Sequence, residues 1–284
     1  MHVRRRFGGV FRSGRRPVKL NTPASICTAA ELTAFKRRLA KVDPVLANLI
    51  RVAGKLTHTT SAQHSPFHSL ARAIAHQQLN GTAAESIFGR FVGLYAVDGM
   101  NAAMLEAQMV LDTPDDKMRA VGLSFAKIAS IKDLAQKTLD GVVPPSEILH
   151  TLGDDEIVER ITQVRGIGRW TVEMMLMSRL GRPDVLPIDD FGVRNGFRLA
   201  YGLRGMPTTR ALAEFGARWA PYRSVAAWYL WRAVDLHREG KLPAPATPTR
   251  IKIVKKKRVV KKARRVVKRA RRVLKKKKKA ATRK

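Results

Sequence analysis

Two stretches of the chain carry residue types that can do chemistry. They are D-D at 189–190, followed by F-G-V-R-N-G-F-R-L-A-Y, and R-G-I-G-R at 165–169. An aspartate just before a segment of helical spacing caps the helix, its oxygens accepting from the free N–H groups of the first turn. The same carboxylate, where a substrate reaches it, stabilises developing positive charge and orients or deprotonates water. Residue types alone leave both uses open. In the second stretch, Gly166 and Gly168 let the chain turn sharply while Ile167 is buried between the flanking helices. The turn brings main-chain N–H groups to the start of the next helix, where the dipole and the unpaired donors favour a phosphate. Such a hairpin grips a nucleic-acid backbone without reading bases, although paired glycines also occur in helix turns for steric reasons only.

The elements that must position these groups are helical. ELTAFKRRLAKVDPVLANLI, SPFHSLARAIAHQQLNGTAAESIFGRFVGLY, KIASIKDLAQKTLDG and DDEIVERITQV all repeat apolar residues every three or four positions. Ser65 before Pro66, and Asp154, are expected N-caps; Gly141 and Gly202 follow helices as C-terminal glycines do. Period-two alternation is scarce. The expectation is an all-α body of about ten helices over 25–242, between a disordered basic segment (1–24) and a Pro-containing linker with a Lys/Arg-rich tail (243–284).

Charge is concentrated at the ends. Of the 55 Lys and Arg, 7 lie in residues 1–20 and 21 in residues 246–284, and all 22 acids lie between, so 28 of the 33 net positive charges reside in the termini. Such ends point to a polyanionic partner, because each cation placed on a phosphate releases counterions. The tail repeats VVKKARR, VVKRARR and VLKKKKK at a seven-residue period. A solvated DNA-binding tail is the simplest use; a membrane-surface helix and a coiled-coil partner are alternatives. No stretch is apolar enough to span a bilayer and no secretory signal is visible, so a cytoplasmic, nucleoid-associated location is expected. The single cysteine, Cys27, excludes an intrachain disulfide and an iron–sulfur cluster. His58, His64, His68 and His76 lack metal-ligand spacing and read as scattered surface residues.

The run V-R-G-I-G-R-W-T-V, then D-V-L-P-I-D-D-F-G-V-R, resembles the helix-hairpin-helix DNA glycosylase superfamily. H-Q-Q-L-N at 76–80, V-G-L-S-F-A-K at 121–127 and R-W-A-P-Y-R-S-V-A-A-W-Y-L-W at 218–231 make it most similar to the 3-methyladenine DNA glycosylase II branch. The resemblance covers residues 30–240, with the motif at about 154–180. An N-terminal α/β domain common in that branch is not matched here. It implies two helical lobes flanking a cleft, and removal of alkylated purines (3-methyladenine, 7-methylguanine) from duplex DNA by base flipping, as a monomer.

Residue by residue, the resemblance makes Asp190 catalytic, with Asp189 as its capping neighbour. Gln78, with Leu79 beside it, would fill the gap left by the flipped base. Trp231 would stack on that base, with Trp170 on the helix behind it, in an aromatic pocket suited to a cationic lesion. Trp219, Trp228, Tyr222 and Tyr229 read mostly as core. Gly166, Ile167, Gly168, Arg169 and Thr171 would hold the DNA backbone, and main-chain carbonyls of Thr162, Val164 and Gly166 a monovalent cation. Bifunctional members carry a Schiff-base lysine where this chain has Trp170, so water is the expected nucleophile and no lyase step follows. A glycosylase for oxidised guanine, hypoxanthine or uracil, and a histone-like protein that only coats DNA, remain as alternatives.

Overall fold

The computed structural model describes residues 26–57, 64–96 and 105–244. The expectations for the basic N-terminus and for the tail beyond residue 244 lie outside them. The described residues form thirteen α-helices and a short 3-10 turn, with no strand. The helices are α1 (Ala29–Val42), α2 (Pro44–Ala53), α3 (Pro66–His76), α4 (Gly81–Gly93), α5 (Ala107–Asp112), α6 (Asp115–Ala120) and α7 (Phe125–Leu139). They continue with α8 (Ser146–Leu149), α9 (Asp154–Ile161), α10 (Arg169–Ser178), α11 (Phe191–Ala200), α12 (Thr209–Gly216) and α13 (Arg223–Arg238); the 3-10 turn is Ala217–Trp219. The count exceeds ten because α5, α6 and α8, at 6, 6 and 4 residues, are too short to show a period.

Local chemistry sets the helix starts. Thr28 and Glu31 form a reciprocal capping box at α1, and Ser65 caps α3 ahead of Pro66. Asp154 is not the cap of α9: Gly153 holds that position, and Asp154 is the first of three acids in the opening turn, where the dipole favours them. Gly141 and Gly202 follow the C-caps of α7 and α11 at φ +75° and +62°.

The helices pack in two groups that share one apolar core. One contains α1, α2, α11 and α13; the other contains α3 to α7 and the α9–α10 pair, with α10 lying on α3. In the first group, α11 and α13 approach so closely that a Cβ at Gly196 would lie 1.8 Å from the Leu230 carbonyl oxygen. One turn earlier, a Cβ at Gly192 would meet the Trp231 ring at 2.7 Å. Two glycines four residues apart thus let Trp231 lie over the first turn of α11.

Buried in this group is Asp43, 3% exposed. It caps α2 through Oδ1, which accepts from the Leu46 N–H at 3.2 Å. Its Oδ2 accepts from the Tyr201 hydroxyl and the Trp219 indole N–H, both at 2.7 Å. Burial first, and the Asp43 charge second, push the Tyr201 hydroxyl well above its usual range, so it stays a donor.

Candidate active site

Asp190 lies at the seam between the two helix groups, half-buried, at the end of a turn in which its own N–H donates to the Pro187 carbonyl. It is itself the N-cap of α11, Oδ1 accepting from the Val193 N–H at 2.7 Å. The expected division of labour, Asp189 capping and Asp190 reacting, is therefore corrected. Asp189 is exposed and caps nothing, because only the residue directly before the first helical turn can reach its free N–H groups.

Two indoles complete the arrangement. Trp231, from α13, donates Nε1–H to Oδ1 at 2.8 Å, and Trp170, from the first turn of α10, donates to Oδ2 at 2.8 Å. A carboxylate offers about four acceptor positions. The three donors leave one lone pair, on Oδ2, beside a Trp170 ring that is 46% exposed. Trp231 points its N–H edge at the carboxylate, so its first structural task is to hold that group. Trp219 and Tyr229 are fully buried core, and Tyr222 and Trp228 pack partly buried against it.

Trp170 also ties Asp190 to the hairpin. Ile167 is buried, as expected for a residue between two helices. Gly166 adopts φ +77° and needs glycine, whereas Gly168 is extended, caps α10 and has open space where a Cβ would stand. No side chain caps α10. Among the described residues the N–H groups of Gly168, Arg169 and Trp170 have no acceptor, which leaves an exposed trio of donors at the positive end of the helix.

Two expected backbone contacts are placed differently. The Arg169 guanidinium turns back onto Glu173 at 2.9 Å, with Asp155 at 3.8 Å, while its side chain stays 57% exposed and its N–H is left open. Thr171 is buried and its N–H donates to the Gly168 carbonyl at 3.0 Å, which removes it from the outward set. Glu173 is buried beneath the pair; burial raises its pKa, and the charges of Asp189 and Asp190 add to the rise.

The gap-filling candidates lie in the α3–α4 connection. Gln78 and Leu79 are exposed, and Gln78 is the non-glycine residue with a left-handed backbone, φ 59°, among those described. That conformation costs a side-chain-bearing residue about 1 kcal/mol. Strain of this kind clusters at functional sites, which makes Gln78 a candidate. Gln78→Gly is expected to leave stability unchanged or raised by up to about 1 kcal/mol, while base release falls. A denaturant melt showing a clear loss of stability would contradict the strain.

One turn beyond Trp170, Met174 lines a cavity of about 550 Å³ between α3 and α10, shared with His64, His68, His76 and Arg179. These histidines are not scattered over the surface. His68 is 5% exposed and stacks on His64 with ring centroids 4.1 Å apart; His58 lies outside the described residues. This cavity is walled by imidazole and thioether and is separate from the two indoles that hold Asp190.

Burial, with the charges of His64, Arg72 and Arg179 adding, lowers the His68 pKa to about 4. A histidine with a depressed folded pKa is neutral in the fold while the unfolded chain takes up a proton below about 6.5. Its contribution is complete above that pH and is lost on acidification, by about 1.4 kcal/mol per pH unit down to about 4. Urea melts at pH 7 and pH 5 should therefore differ by about 2 kcal/mol more in the parent than in His68→Leu. An equal acid loss in both would contradict the burial argument.

The hairpin carbonyls are partly committed. The Val164 carbonyl accepts from the Ile167 N–H at 3.0 Å and the Gly166 carbonyl from Gln77 Nε2 at 2.8 Å. No group of three or more His, Cys, Asp or Glu among the described residues could hold a metal ion, and none of their helices is long and apolar enough to cross a membrane.

Comparison with known proteins gives concordant matches. The family described as "HhH-GPD superfamily base excision DNA repair protein" matches residues 71–221. DNA-3-methyladenine glycosylase 1 of Schizosaccharomyces pombe is 37% identical over 206 residues, spanning 72% of this chain and 89% of that protein. The solved structure of the S. pombe 3-methyladenine DNA glycosylase in complex with abasic DNA superposes with a TM-score of 0.62, covering 70% of this chain and 95% of that one. DNA-3-methyladenine glycosidase from Bacillus halodurans, 31% identical, superposes with a TM-score of 0.65 over 77% of this chain and 94% of its own.

Proposed function

Because the chain belongs to the HhH-GPD superfamily of base excision DNA repair proteins, we propose that it is a monofunctional glycosylase. It hydrolyses the bond between deoxyribose and an alkylated purine, 3-methyladenine or 7-methylguanine, in duplex DNA. The observation that carries this reading is the Trp170 indole. From the same first turn of α10 that presents the free N–H groups, it reaches Asp190 and fixes the carboxylate at a set position relative to the phosphate grip.

The chemistry follows from that geometry. The N–H groups at the α10 start hold a backbone phosphate, and Gln78 occupies the space the extruded nucleotide leaves. The sugar then faces Asp190, whose charge stabilises the oxocarbenium character that develops as the C1′–N bond lengthens. The bond electrons leave with the base, and a purine that is already cationic departs neutral without a general acid. The remaining Oδ2 lone pair orients the water that attacks C1′ and accepts its proton. Trp170 has no amine with which to form a Schiff base, so the product is an abasic site in an uncut strand.

At the hairpin, the Thr162, Val164 and Gly166 carbonyls are neutral, hard oxygen donors that suit a monovalent cation, each keeping a lone pair beyond the bonds described above. Such an ion would supply positive charge to the held phosphate. The protein is read as a monomer working on chromosomal DNA in the cytoplasm, its basic termini adding non-specific affinity.

Duplexes each carrying one lesion (7-methylguanine, 3-methyladenine, hypoxanthine, 8-oxoguanine or uracil), assayed before and after alkali, test the reading. The expected result is release of the two alkylated purines, with strand breaks only after alkali. Breaks without alkali would overturn the hydrolytic mechanism, and release confined to another lesion would overturn the substrate assignment.

A further inference from the structure

The α3–α4 connection and the α9–α10 hairpin are joined by side chains reaching between them. Gln77 is the C-cap of α3, yet its amide leaves its own helix and donates to the Gly166 carbonyl, 89 positions away in sequence. The hairpin is braced from a third side by α7. The Arg165 N–H donates to Asp133 Oδ2 at 2.7 Å, and Gly166 sits against Ser130, whose Oγ would be 3.0 Å from a Cβ. The same helix secures the other partner, since Lys127 donates to the Ala75 carbonyl at 2.7 Å in the last turn of α3. Immediately after Gln77 comes Gln78, exposed and left-handed.

From this closed circuit we propose that Gln77 is a positioning residue that couples the phosphate grip to the gap-filling side chain. Its hydrogen bond fixes the height of Gln78 above the free N–H groups of α10. Holding the backbone then presents Gln78 to the base stack, and displacing either element displaces the other. A glutamine fits this task. Its amide is a neutral donor long enough to cross between two loops, and unlike arginine it does not prefer a phosphate to a carbonyl. The inference rests on the reading of Gln78 as the plug and of the hairpin as the grip.

The test is a double-mutant cycle in the full chain with Gln77→Met, of similar length but with no donor, and Gln78→Ala. Binding is measured to a duplex bearing a tetrahydrofuran abasic analogue and to the same duplex undamaged. Gln77→Glu serves as a second variant, setting a carboxylate against the Gly166 carbonyl, and thermal melts establish that each variant is folded.

Each single change is expected to cut the preference for the abasic duplex about 10-fold, the worth of one hydrogen bond. The double variant is expected to be no worse, because after one change there is nothing left to couple. Undamaged binding stays the same throughout. Losses that multiply to about 100-fold would overturn the coupling, as would a parallel loss of undamaged binding, which would make Gln77 a brace for the hairpin alone. If Gln78→Ala by itself leaves the preference intact, the plug assignment fails, a result distinguishable from failure of the coupling.

Discussion

Replacing Asp190 with asparagine is expected to slow single-turnover base release by about 10³-fold, the scale of removing one preorganised charge-stabilising group, while binding to undamaged duplex persists. Asparagine is as good an N-cap as aspartate, so its oxygen can keep the Val193 N–H and the Trp231 indole, and α11 still begins at Phe191. The amide nitrogen then faces the Trp170 N–H, donor against donor, where an acceptor stands in the parent. Under the proposed mechanism, what disappears is the negative charge beside the anomeric carbon and the free lone pair that orients water. The grip is untouched, because the N–H groups at the start of α10 belong to the main chain. Gel-shift binding and quenched-flow base release on one 7-methylguanine duplex separate the two effects. Unchanged base release would leave only a DNA-coating protein, and a parallel collapse of binding would mean that Asp190 serves the fold.

The second large effect falls on stability and comes from the other capping aspartate. Asp43→Ala removes the N-cap of α2 and strands the Tyr201 hydroxyl and the Trp219 indole N–H in the core. A lost cap costs about 1 kcal/mol and each stranded buried donor about 1–3, so a loss of about 4 kcal/mol is expected. That is a large share of the stability of an ordinary domain. Denaturant titration should show a lower midpoint at unchanged slope. Base release per folded molecule should hold, since Asp43 is buried and makes no contact with the carboxylate at 190. A shift below about 1 kcal/mol would show that the two aromatic donors find other acceptors.

Asp43 and Asp190 use the same local grammar: each caps a helix and each receives two aromatic side-chain donors. One is sealed at 3% exposure and the other stands half-open at a seam. Nothing within a few residues of either distinguishes them. Sequence patterning accordingly found the helical character, the cap at Ser65, the hairpin turn and the start of α11, all of which depend on neighbours within about one turn. It misplaced the cap at Asp154 by one residue, missed the shortest helices and read the α3 histidines as surface groups, because burial depends on what packs against them.

The chain by itself determined that this protein is helical and that a glycine turn lies between α9 and α10, and through resemblance it singled out position 190 as a candidate. Only the tertiary structure decided that Asp190 is both cap and acceptor for two indoles, that Arg169 is turned onto Glu173, and that Gln77 binds Gly166. The physical reason is range. A capping bond spans three residues, whereas the bonds to Asp43 join groups 158 and 176 residues apart and the Trp170 bond to Asp190 spans 20. The Asp43 partners meet only when the first helix group packs, and Trp170 meets Asp190 only when the two groups close on their shared core.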